Sequence, residues 1–169
     1  DRGSADVLSE RPEVVYMPPE TVDRWQRAAD EECLTSIDMD TNRRVAELRR
    51  CVLKALHRGG ANIALGTDSP QVFSVPGFSV HREMAVYADV GMTPYEVIEA
   101  STRKPAEYFD ATDDFGTVAV NRRADLILLT ANPLDDIGNV ARRAGVMLRG
   151  RWFSEDEIQD RLQDIAQFY

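Results

Sequence analysis

Histidine, cysteine and lysine are all scarce in this chain. It has two histidines, His57 and His81, and two cysteines, Cys33 and Cys51, in 169 residues. Two cysteines so far apart in sequence do not make a disulfide framework, so both are expected as free thiols. Only Lys54 and Lys104 are lysines, so arginine supplies nearly all of the positive charge. No apolar run approaches the ~20 residues of a membrane-crossing helix. There is no nucleophile elbow, no phosphate loop and no zinc-finger spacing. The chain opens on Asp1-Arg2-Gly3-Ser4, without Met and without a visible signal peptide. An N-terminal signal is not observable here, so the compartment stays open, with a cytoplasmic location favoured.

The composition is globular, with 43% hydrophobic and 29% charged residues. A net charge of -9 makes general nucleic-acid binding or docking on anionic lipid unfavourable. The length suits one ordinary domain. Val22, Trp25, Ala28 and Ala29 mark one helical face. After Asp38-Met39, with Asp40 or Thr41 as cap, Val45, Leu48, Val52, Ala55 and Leu56 form the apolar stripe of a helix that Gly59-Gly60 ends.

Residues 61–68 read as a buried parallel strand. Its side chains alternate, so Asn62, Ala64, Gly66 and Asp68 share one face and Ile63, Leu65 and Thr67 the other. A small face carrying a terminal carboxylate, opposite a bulky one, suits a barrel strand. Asp68 then lies at the strand end where barrel enzymes keep catalytic groups. Two roles are open to it: metal ligand and proton acceptor, or turn aspartate before Pro70. The loop from Ser69 to Ser79 is placed to line a pocket. His81, in the first turn of the next helix, either orients substrate and supports Asp68 or packs locally. His57 closes the preceding helix and belongs at the opposite end from Asp68. Glu83 is expected as a solvated or pairing carboxylate, and Asp110, Asp113 and Asp114 as a solvated turn rather than a calcium loop. Thr93-Pro94-Tyr95-Glu96 is a capping box. Further on, 116–120 and 124–129 read as strands, Arg149-Gly150 as a tight hairpin, and Ser154 to Glu157 as the cap of a terminal amphipathic helix.

The order of these pieces resembles the amidohydrolase superfamily, especially its imidazolonepropionase-like and prolidase-like members. The likeness rests on Ala64-Leu65-Gly66-Thr67-Asp68-Ser69-Pro70 and on Ser79 with His81-Arg82-Glu83-Met84. It continues through Gly91-Met92-Thr93-Pro94, Ala100-Ser101-Thr102, Gly116-Thr117-Val118 and Arg123 to Ile127, ending at Asn132-Pro133-Leu134-Asp135-Asp136-Ile137. The family's His-x-His strand and its single-His strands have no counterpart here. Phe109-Asp110 stands where Leu-Gly is usual, and Asn121 where a turn glycine is usual.

The resemblance implies an α/β fold: the C-terminal part of a (β/α)8 TIM barrel over 1–110, with 61–68 as its last strand. Residues 111–153 would belong to the small β-sandwich domain and 154–169 to a C-terminal helix. It implies a metal-dependent hydrolase of C–N bonds, with Asp68 as metal ligand and general base and with Ser69 and His81 in supporting or substrate-binding roles. One or two divalent ions, zinc first, are the implied cofactors. Amide, cyclic amide or dipeptide-like molecules are the implied substrates, and further copies of the chain the implied partners. The alternative is a non-catalytic binding or assembly module that keeps only this framework.

Overall fold

The computed structural model describes residues 5–34 and 39–169. Helix α1 (Ala5–Ser9) and a 3-10 turn (Pro12–Tyr16) lead into α2 (Pro19–Leu34) and α3 (Met39–Arg58). After the loop come α4 (Ser79–Asp89), α5 (Pro94–Ser101) and α6 (Arg103–Tyr108). Strands β1 (Leu126–Leu129), β2 (Arg143–Leu148) and β3 (Arg151–Ser154) form an antiparallel sheet in the order β1-β2-β3, and α7 (Glu155–Phe168) follows. The chain is thus α/β with a small antiparallel sheet. Helix α3 starts at Met39, which puts Asp40 and Thr41 inside its first turn; Asp38 lies outside the described residues, as does the side chain of Cys33. Cys51 is a free, exposed thiol.

Local chemistry explains the termini. Thr93 Oγ1 accepts from the Glu96 amide at 3.3 Å while Glu96 Oε2 accepts from the Thr93 amide at 2.7 Å, closing the capping box. Arg149 and Gly150 both have positive φ, 50° and 81°, the pair of values a two-residue hairpin of this hand requires. Asn121 takes φ 66° and Asp110 takes φ 52°, so each fills a left-handed position without glycine.

Two apolar clusters hold the fold. Leu8, Val14 and Trp25 pack with Phe73 and Val75 from the loop before α4. Tyr87, Met92, Val97, Ala100 and Ile137 form the second, and Ile63 and Leu65 pack against it. The loop and the segment before it are therefore each tied to a different cluster.

Two expected strands are not formed. Residues 61–69 join no ladder; apart from the Ala61 N–H bond to Leu56 C=O at the end of α3, 3.0 Å, the backbone–backbone bond they make to another element is Leu65 N–H to Ala100 C=O, 2.8 Å. Their exposure still alternates, Ile63, Leu65 and Thr67 half-buried and Asn62, Ala64, Gly66 and Asp68 exposed, as in an extended strand. A ladder needs a neighbouring strand on at least one side, and none is present among the described residues. Residues 116–120 are likewise unpaired, with Val118 84% exposed. The α3 stripe is also uncovered: Val45, Leu48, Val52 and Leu56 all face solvent, and Leu53 is the α3 side chain that reaches the second cluster.

The surface reflects these open faces. It measures 11391 Å², whereas a compact monomer of 19.0 kDa exposes roughly 8,400 Å². The excess, about 3,000 Å², is the size of an extensive protein interface. Studied alone, the chain is therefore expected to brighten a hydrophobic dye and to sediment as more than one 19.0 kDa unit. A dye-silent monomer with a cooperative melt would show that these faces are closed in solution.

Candidate functional site

Asp68 ends the extended segment on its exposed face, with φ 53°. Aspartate tolerates this left-handed conformation better than most residues. Gln71 Nε2 donates to Asp68 Oδ2. Among the described residues Oδ1 has no protein partner, so one carboxylate oxygen remains open to a ligand. The following loop is firmly built. Ser69 Oγ lies 2.7 Å from Ser74 Oγ and 2.6 Å from the Oγ of Ser79, which is buried. The Ser74 amide donates to Gln71 C=O at 2.8 Å, closing a turn around Phe73. Phe73 is 1% exposed against Trp25, and Arg11 donates to its carbonyl at 3.1 Å. Burying that ring is worth roughly 1.5–3 kcal/mol, which anchors the loop.

The other carboxylates and His57 lie elsewhere. His57, in the last turn of α3, sits 3.8 Å from Glu96, at the opposite end of the extended segment from Asp68. Glu83 is half-buried on α4, and desolvation pushes its pKa up. That burial was not anticipated. Asp110, Asp113 and Asp114 are exposed, with Asp114 paired to Arg123 at 2.9 Å.

No group of three His, Cys, Asp or Glu side chains poised for a metal exists among the described residues. A closed zinc site takes four ligands and a catalytic one three. Asp68, with its free oxygen, fits as one such ligand; the described residues do not supply a full set. The residues sequence reasoning passed over are Gln71 and Ser74. The signal available for Ser74 was the even spacing of Ser69, Ser74 and Ser79 through a loop already marked as pocket-lining; Gln71 carried none.

Among the described residues, His81 makes no hydrogen bond to Asp68 or Gln71. It faces the 3-10 turn Ile137–Ala141 (IGNVA) and lines a cavity of about 280 Å³ with Asp89, Asp136 and Ile137. Its Nδ1 is buried without a hydrogen-bond partner in the structure. Desolvation first, then the charges of Arg143 and Arg82, push its pKa below the ordinary imidazole value. Unfolded, this imidazole gains a proton near pH 6.5; folded, it resists. Its contribution to stability is complete above that pH and is lost as pH falls through the lower folded value. Glu96 and Glu155, whose carboxyl pKa values are lowered by hydrogen bonds, lose theirs only in more acid solution. Denaturation midpoints at pH 7.5 and 5.5 should therefore fall further for the parent sequence than for His81→Gln. Equal falls would place His81 in contact with water.

The sequence pattern of the amidohydrolase family matches residues 12–153. No curated protein matches the chain. Among solved structures, a bottromycin amidohydrolase superposes with a TM-score of 0.73 at 26% identity, over 94% of this chain and 35% of its own. A molinate hydrolase gives 0.54 at 25% identity, over 60% and 25%. A Xaa-Pro dipeptidase gives 0.58 over 89% and 32%, at 20% identity, which shows the fold alone. The chain spans about a third or less of the length of these structures. With the family's pattern running from the first 3-10 turn to β3, this chain belongs to the amidohydrolase family.

Proposed function

We propose that the chain is the C-terminal part of a metal-dependent hydrolase that cleaves a C–N bond. Residues 1–110 would complete a TIM barrel, with 61–68 as its last strand. Residues 111–153 would belong to the small β-sandwich and 154–169 to the closing helix. The observation that carries this reading is Asp68: an exposed carboxylate, one oxygen free, ending a segment whose bulky side chains are turned into the core. The amidohydrolase and hydrolase likenesses support the reaction class.

In this reading one or two divalent ions, zinc first, are held by Asp68 together with donors from outside the described residues. Such an ion, when bound, supplies an acidified water, with a pKa near ~7. Asp68 accepts the proton of the attacking water and returns it to the leaving nitrogen. Ser69, hydrogen-bonded beside it, keeps the carboxylate at the mouth of the loop or bonds the substrate. His81 supports the same region from α4, through the packing of that helix. Substrates would be amide, cyclic amide or dipeptide-like molecules, and further copies of the protein are its expected partners.

Asp68→Asn keeps the shape and removes the charge and basicity. In the complete, metal-loaded protein it should lower turnover by at least ~10². Stability without metal should change by under roughly 1 kcal/mol. His57→Gln, at the far end of the segment, should leave turnover close to the parent's. Hydrolysis at saturating metal, run for both variants together, checks this. Near-normal turnover by Asp68→Asn would remove the basis for the proposal.

A further inference from the structure

The loop from Ser69 to Ser79 is more heavily tied than lining a pocket requires. Its hydroxyls form one chain, Ser74–Ser69–Ser79, with Ser79 buried at the start of α4. Its turn is fixed by Phe73 in the first apolar cluster and by the Ser74 to Gln71 bond. From that turn Gln71 reaches back to a single target, Oδ2 of Asp68. Asp68 itself holds a left-handed φ of 53°, a strained conformation for an ordinary residue that persists where surroundings enforce it.

We propose that Gln71, held by the Ser74–Ser69–Ser79 hydroxyl chain, is a positioning residue that fixes the Asp68 carboxylate with Oδ2 engaged and Oδ1 presented. The inference rests on the functional reading of Asp68 and adds to it the device that aims the group. The physical reasoning is direct. A free aspartate rotates about χ2 and offers either oxygen, so a ligand must first fix it. An amide N–H on one oxygen fixes that rotation beforehand, and the cost of ordering is met when the loop folds. The amide is neutral, so it orients the carboxylate without cancelling the charge a cation needs. A lysine in its place would compete with that cation. The hydroxyl chain does not touch Asp68's carboxylate. It fixes the backbone on both sides of Gln71, where a rotamer change in a loose loop would otherwise break the bond.

Gln71→Met keeps the length of the side chain and removes the donor. Ser79→Ala removes the buried hydroxyl, and Ser79→Thr keeps it. In the complete protein, the loss of an outer partner of a metal ligand costs about 10-fold in metal affinity or activity. Zinc titration of the metal-free protein should thus show affinity weakened about 10-fold by Gln71→Met and by Ser79→Ala, with Ser79→Thr near the parent. With Ala-Pro, a dipeptide probe, kcat should fall in the same order while KM stays within about twofold, because a misaimed base affects the step and not substrate binding. Melting temperatures report whether each variant is folded. Parent-like zinc affinity and kcat in Gln71→Met, beside a collapse in Asp68→Asn, would overturn the inference and leave the functional reading standing. Equal losses in Ser79→Ala and Ser79→Thr would overturn the part played by the hydroxyl chain. Full turnover in Asp68→Asn would overturn both.

Discussion

Everything at the candidate site depends on the two-residue period of an extended chain. Ile63 and Leu65 pack onto the cluster formed by Tyr87, Met92, Val97 and Ala100. Once those two side chains are buried, Asn62, Ala64, Gly66 and Asp68 must point the other way. A slip of one residue would bury the Asp68 carboxylate and expose Leu65, a change opposed by both desolvation and lost apolar contact. The small residues on the exposed side leave room in front of Asp68. The Tyr87 hydroxyl, 3.4 Å from the Ala64 carbonyl, and the Leu65 to Ala100 bond fix the segment's height on the helices.

The loop turns that register into a defined position. Because 61–68 is tied to one cluster and Phe73 and Val75 to the other, Asp68 sits where the two are joined. The first cluster is held in turn by charge. Arg82 of α4 pairs with buried Glu13 in the first 3-10 turn, and Arg11 reaches the Phe73 carbonyl. Helix α4 thus carries Ser79 toward the loop, Arg82 toward the N-terminal turn and His81 toward the sheet side. The sheet side is tied independently, by the two 2.9 Å bonds of Arg143 to Glu155.

Much of this was legible in the sequence where the controlling interaction is local. The alternation of 61–68, the Thr93–Glu96 box, the left-handed Asn121 and the Arg149-Gly150 hairpin depend on neighbours a few residues away, and all are present. The cap at Ser154 is present in half: its hydroxyl accepts from the Glu157 amide, while the Glu157 carboxylate is drawn to Arg161 at 2.9 Å. What was not legible depends on partners distant in sequence. A ladder for 61–68 or 116–120 needs another strand, and the burial of the α3 stripe needs a surface to meet it. The local pattern calls for both and supplies neither. His81 was undecided for the same reason: its surroundings come from Asp136, Ile137 and Arg143, more than fifty residues away. Gln71 was missed because a loop side chain has no periodicity to mark it.

In the function proposed here, the exposed face of 61–68 is the chemical face and Asp68 ends it as a metal ligand. Anomalous diffraction from crystals of the complete protein grown with zinc tests this most directly. The expected result is an ion about 2.0–2.2 Å from an Asp68 carboxylate oxygen, with Asn62, Ala64 and Gly66 facing the same cavity. A zinc ion bound by other residues, with Asp68 turned to solvent or engaged only by Gln71, would contradict it.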